Sequence, residues 1–269
     1  MRIISIKFST TTKDDMLVTN PLKKKLASGT DIFGILNSVP SAVITEMFAY
    51  AGYDFVILDT EHLLISDESL AHAIRAAECA GIPALVRVPN CDPSRIGKIL
   101  DAGAQGIIVS RVSDVKSAQI AIEACKYPPL GSRGITGGRT TGFGTLPLAE
   151  YIEKANNETF IGLMIEDTQG LDALTEIVQL PHLDMIFEGA IDLSLSMGHG
   201  IEFNHENVQA AIHKMAEISQ QAHIPFCAIP RLPGQKQQWK EKGVTAFLVG
   251  EDRGFIFKEL KNKLHNLKS

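Results

Sequence analysis

The 269-residue sequence predicts a single-domain (β/α)8 TIM barrel, and three observations predict it. Short runs rich in Val, Ile, Leu and Phe recur eight times, segments of helical periodicity lie between them, and no Gly-x-Gly-x-x-Gly turn follows the first run. Strands that are apolar throughout belong to a parallel sheet covered by helices, and eight such units point to a closed barrel in preference to an open dinucleotide-binding sheet.

In chain order the runs are DIFGIL (31–36), DFVILD (54–59), PALVRV (83–88), GIIVSRV (106–112), FIGLMIE (160–166), LDMIFEG (183–189), PFCAIP (225–230) and AFLVG (246–250). Between them, SAVITEMFAYAG (41–52), DESLAHAIRAAECAG (67–81), DPSRIGKILDAGA (92–104) and DVKSAQIAIEAC (114–125) place apolar residues at helical spacing. Asp67, Asp92, Asp114 and Asn204 are expected N-caps, because a short acceptor side chain satisfies the open amides of a first turn. Gly52, Gly81, Gly103 and Gly243 are expected just beyond helix ends, where the chain turns left-handed. Residues 1–20 read as a leader and 21–269 as the barrel, with Met16 an alternative start to Met1 and no small-residue cleavage pattern. The Gly- and Pro-rich stretch 127–147, holding Arg133 and Arg139, is an unusually long connection, and its length predicts a function. RGFIFKELKNKLHNL (253–267) has the apolar spacing of a packed terminal helix, against its own barrel or a second copy.

With 45% hydrophobic and 21% charged residues, the chain can bury one sizeable core. A formal charge of -5 and the lack of a dense Lys/Arg block exclude a nucleic-acid backbone as main partner. No segment approaches the ~18 consecutive apolar residues of a membrane-spanning helix. Cys79, Cys91, Cys125 and Cys227 have neither CxxC spacing nor the density of a disulfide framework, so they read as reduced, buried thiols of a soluble cytoplasmic protein.

A barrel of this kind builds its site from the C-terminal strand ends and the loops after them. There the sequence puts Asp59, Thr60, Glu61 and His62 after the second run, Arg87 in the third, Glu166 and Asp167 after the fifth, Glu188 and Asp192 after the sixth, Arg231 after the seventh, and Glu251, Asp252 and Arg253 after the eighth. Any one of these is explained by a buried strand meeting solvent. Groups of both signs at six of eight ends point to a shared site. Lys236, Lys240 and Lys242 read as a solvated helix face.

The ordered segments DTEH (59–62), VRVP (86–89), LDAGAQGIIV (100–109), YPPLGSRG (127–134), MIED (164–167) and EGAIDLSLSMG (188–198) resemble the HpcH/HpaI class II aldolase family from about residue 20 onward. The resemblance implies that His62 is the general base, that Asp101 pairs with it, that Arg87 contacts a 2-oxo acid, and that Glu166 and Asp192 hold a divalent metal, Mg or Mn. Such an ion, with two carboxylates and open positions, suits chelation of a 2-oxo acid. The backbone amides of Ile191 and Asp192 are placed to bind the substrate carboxylate. A homo-oligomer, hexameric with exchanged C-terminal helices, is also implied.

Two departures cluster around the metal: Met164 stands where the aldolases carry Gln, and Glu188-Gly189-Ala190 where they carry Gly-Pro. FGILNSVPS (33–41), PFCAIPR (225–231) and QQWKEKGVTAFLVGEDRG (237–254) resemble the siderophore-associated citrate synthase branch of the superfamily, that of staphyloferrin B biosynthesis. That branch implies condensation of oxaloacetate with acetyl-CoA, His62 enolising the thioester, and Arg231 and Arg253 meeting the second carboxylate or CoA phosphates. For Arg253, a surface pair with Glu251 or Asp252 is an equal explanation. The competing readings are a metal-dependent aldolase joining pyruvate to aldehydes, and a non-catalytic barrel that senses a 2-oxo acid.

Overall fold

Eight parallel strands pair in sequence order and the last returns to the first, closing the barrel. The computed structural model describes residues 19–268. The strands are β1 (Ile32–Asn37), β2 (Phe55–Asp59), β3 (Ala84–Val88), β4 (Gly106–Val109), β5 (Phe160–Ile165), β6 (Met185–Glu188), β7 (Phe226–Ala228) and β8 (Ala246–Glu251). Each of the eight predicted runs overlaps one of them, β1 and β8 each running one residue past its run, to Asn37 and Glu251. All residues of β2 through β7 are buried, as a sheet inside a helical sleeve requires.

The helices are α1 (Pro21–Ala27), α2 (Ala42–Tyr50), α3 (Asp67–Ala80), α4 (Pro93–Asp101), α5 (Val115–Cys125), α6 (Leu148–Glu158), α7 (Thr168–Ile177), α8 (Ala190–Ser196), α9 (Glu206–Gln221), α10 (Gln235–Glu241) and α11 (Asp252–Lys268). Asp92 and Asp114 cap α4 and α5 as expected, accepting from the amides of Ser94 and Ser117. Two caps fall one residue from expectation: Ser66, not Asp67, caps α3 through the Ser69 amide, and His205, not Asn204, caps α9 through that of Asn207. Gly81 ends α3 in the left-handed region at φ 76°.

Two apolar layers hold the fold. One lies between strands and helices and includes Val56, Ile74, Val86, Ile107 and Leu163. The other fills the barrel and includes Phe55, Ile57, Leu85, Ile108, Phe160, Met164 and Phe187. Gly34 makes room within it, because a Cβ there would lie 2.1 Å from the Phe55 ring. Leu22 of α1, 1% exposed, joins this interior layer. Of the leader expected over 1–20, residues 1–18 lie outside the described residues. Asn20 is 2% exposed, caps α1, and donates to the carbonyls of Gln105 and Glu158, so it belongs to the barrel.

Because barrel helices run opposite to the strands, the stretch 127–147 leaves α5 at the N-terminal end of the barrel, away from the rim. There Arg133 pairs with Asp101 at the end of α4, and Arg139 with Glu78 of α3. The four cysteines are free; Cys125 and Cys227 are buried, but Cys91 is half-buried and Cys79 exposed. Among the described residues, no helix is long and apolar enough to cross a membrane.

Candidate active site

The alternation that packs the barrel interior also sets its crown. Ile57, Leu85 and Met164 belong to the interior layer, so Asp59, Arg87 and Glu166, two residues further along their strands, continue that inward face at the C-terminal mouth. Arg87 Nε donates to Asp59 Oδ1 at 2.9 Å, and its Nη2 lies 2.9 Å from Oδ2. This two-pronged grip fixes the guanidinium and leaves Nη1 pointing onward, 3.4 Å from Glu61 Oε2 and 4.0 Å from Met164 Sδ. The Gln-to-Met departure therefore sits beside the free end of Arg87. Burial alone would push Arg87 down, but the Asp59 hydrogen bond and the charges of Asp59, Glu61 and Glu166 hold it above its ordinary value.

The 59–62 turn is locked to β3. Thr60 donates its amide and its hydroxyl to the Arg87 carbonyl, at 3.0 and 2.6 Å, and the Glu61 amide donates to Asp59 Oδ1 at 3.0 Å. Glu61, its side chain 5% exposed, accepts Ser110 Oγ at 2.6 Å. His62 Nε2 stands 3.6 Å from Glu61 Oε2, its side chain 49% exposed.

Glu166, 4% exposed, accepts the Arg111 amide at 2.7 Å. Burial first, then the charges of Glu61 and Asp192, push its carboxyl up to about 7, against the opposing pull of the Arg111 amide and Arg87. Gly189 is required beside it, because a Cβ there would lie 2.3 Å from Glu166 Oε2. Asp192 and Ile191 occupy the first turn of α8, with Asp192 Oδ1 3.9 Å from Arg111 Nη2.

Glu166 and Asp192 supply hard carboxylate oxygens, and among the described residues no set of three His, Cys, Asp or Glu side chains converges to hold an ion unaided. Two carboxylates fit Mg or Mn, ions that keep much of their shell for water and substrate. A carboxyl pushed up by burial and then by like-charged neighbours is one that a divalent cation would return to its ionised form.

The structure sets three of the expected site residues against protein partners within the chain. Asp101 does not meet His62 within the chain: as the last residue of α4 it lies at the opposite barrel end, accepting Arg133 Nη2 at 2.8 Å. Arg231 is turned to a protein partner, its Nη1 and Nη2 donating to Glu188 at 2.7 and 3.0 Å. Arg253 makes the surface pair with Glu251 at 2.8 Å and is 58% exposed. Lys240, on the helix face read as solvated, pairs with Asp31 at 2.6 Å. Ser110 and Arg111 are hidden in the sequence because GIIVSRV reads as strand to 112, whereas β4 stops at Val109. The polar break in an apolar run was the available signal.

A closed parallel barrel with a buried carboxylate-arginine crown at its C-terminal mouth has its charged groups gathered where α/β-barrel enzymes build their active sites. The model of the HpcH/HpaI aldolase/citrate lyase family matches residues 36–255, and the chain belongs to that family. It is similar to the structure of the citrate synthase SbnG, at 39% identity and TM-score 0.86, over 92% of this chain and 97% of that one. It is similar also to an HpcH/HpaI aldolase from Desulfitobacterium hafniense, at 27% identity and TM-score 0.87, over 94% and 98% of the two chains. A 2-dehydro-3,6-dideoxy-6-sulfogluconate aldolase of Pseudomonas putida is 31% identical, over 85% of this chain and 89% of its own. The family contains both citrate synthases and aldolases.

Proposed function

We propose that the chain is a cytoplasmic citrate synthase that condenses oxaloacetate with acetyl-CoA for siderophore biosynthesis. The observation that carries this is the 39% identity to a citrate synthase over 92% of the chain, against 27% and 31% to the aldolases.

In this reading His62 takes a proton from the acetyl methyl group, and the resulting carbanion attacks the keto carbon of oxaloacetate. Arg87 Nη1, free of the Asp59 grip, meets the developing alkoxide. Glu61 Oε2, 3.6 Å from His62 Nε2, orients the ring for that transfer. Water then breaks the thioester C–S bond, so that oxaloacetate, acetyl-CoA and water become citrate and CoA. The amides of Ile191 and Asp192 hold the 1-carboxylate. Glu166 and Asp192 would hold a divalent ion, which supplies Lewis-acid polarisation of the 2-oxo acid. The exposed Phe257, Leu260, Leu264 and Leu267 of α11 fit a homo-oligomer in which another copy covers them.

The test is thiol release. Free CoA should appear only when oxaloacetate and acetyl-CoA are both supplied; a folded protein that releases none sinks the reading. The second reading, a metal-dependent aldolase, is favoured by the named aldolase relatives. Its signature is pyruvate-dependent condensation with short aldehydes, lost on chelation.

A further inference from the structure

We propose that Arg111 is a specificity-determining residue that binds the second carboxylate of a dicarboxylic 2-oxo acid, an assignment that rests on the reading of this rim as a 2-oxo acid site. The other rim arginines are committed: Arg87 grips Asp59, Arg231 grips Glu188 and Arg253 pairs with Glu251, at distances of 2.7 to 3.0 Å. Arg111 is held differently. Its Nε lies 3.4 Å from Glu61 Oε1 and its Nη2 3.9 Å from Asp192 Oδ1, its side chain is 60% exposed, and among the described residues its guanidinium makes no hydrogen bond. These are loose ion pairs, and the donors of the planar fork remain available to a carboxylate.

The backbone aims that fork. Arg111 has φ 54°, a left-handed conformation unfavourable for a residue with a Cβ. Its amide donates to Glu166 Oε1 at 2.7 Å and its carbonyl accepts Ser113 Oγ at 3.3 Å, which keep the residue there. The strained turn sends the side chain back over Glu61 and Asp192 instead of out along the helix sleeve. The mouth holds Asp59, Glu61, Glu166 and Asp192 against the cations Arg87 and Arg111. Arg87 is in place for the keto end. A second carboxylate brought among these acids needs a cation of its own, and Arg111 can supply it by giving up its 3.9 Å contact with Asp192.

The experiment compares oxaloacetate with 2-oxobutyrate, a monocarboxylate of the same chain length, by calorimetric dissociation constants on the full protein and on Arg111→Met and Arg111→Lys. Wild type should bind oxaloacetate more tightly. Arg111→Met should weaken oxaloacetate by about 10- to 100-fold and leave 2-oxobutyrate within about twofold, as loss of a hydrogen bond to a charged group predicts. Arg111→Lys should recover part of the preference, and the melting temperature of each variant reports its folding. A preference for oxaloacetate that survives Arg111→Met, or no preference in wild type, overturns the assignment and leaves the 2-oxo acid site standing. If wild type binds neither compound, the site reading falls with it.

Discussion

Arg231→Ala tests whether the Glu188–Arg231 pair is structural. Glu188 is 1% exposed and accepts four donors: Arg231 Nη1 at 2.7 Å, Nη2 at 3.0 Å, and the amides of Ala190 at 3.1 Å and Ile229 at 3.2 Å. The substitution removes the first two and strands a buried carboxylate on two main-chain amides. Breaking such a pair on one side costs about 3–5 kcal/mol. Arg231 is 21% exposed, so water can enter the vacated space and the low end applies. Its lost contact with the Phe203 ring, 5.5 Å away, adds about 0.5 kcal/mol. At about 2–4 °C per kcal/mol for a domain of this size, the melting temperature should fall by roughly 7–14 °C. Thermal and urea unfolding measure it, and adding Glu188→Gln, which removes the stranded charge, should restore more than half of the loss. A melting temperature within 2 °C of wild type, with a KM for oxaloacetate raised more than tenfold, would show that the fork serves substrate instead.

His62→Ala should lower kcat by about 10²- to 10⁴-fold with little change in melting temperature, since the side chain is half exposed; unchanged turnover removes it from proton transfer. Arg87→Lys should lose most of the activity although charge is kept, because Lys cannot both grip Asp59 at two points and present a third donor; near-wild-type kcat/KM would refute that geometry. Glu166→Gln should act through pH. The carboxyl is near 7 when folded and near 4.5 when unfolded, so the folded chain holds the extra proton between those values, and stability falls as pH rises through that window. The full cost above it is on the order of 3 kcal/mol at about 1.4 kcal/mol per pKa unit. In metal-free buffer the variant should gain on wild type from pH 5 to pH 8; a stability difference independent of pH contradicts this.

The barrel was legible because double-sided burial makes its strands apolar from end to end, and the runs could be counted before any pairing was known. Arg87 and Glu166 were legible for a related reason, being the polar residues that interrupt or end those runs. What stayed hidden depended on contacts between distant segments. Glu188 and Arg231 meet because β6 and β7 are neighbours, and neither residue advertises that partner. The resemblance pairs Asp101 with His62, and no sequence pattern shows that within one chain the direction of α4 sets the two at opposite ends of the barrel. Ser110 and Arg111 were concealed by an apolar run whose ladder stops at Val109, where Arg111 turns left-handed to reach Glu166. The caps that slipped from Asp67 to Ser66 and from Asn204 to His205 show that adjacent acceptors compete, and local backbone geometry decides between them.

The most direct measurement follows carbon from the acetyl group into product. With acetyl-CoA labelled by ¹³C at the methyl position and unlabelled oxaloacetate, carbon NMR should show one labelled methylene of citrate growing in step with free CoA. His62→Ala should abolish both signals. Label that stays in acetyl-CoA while the same preparation joins pyruvate to an aldehyde would contradict the citrate synthase account and establish the aldolase in its place.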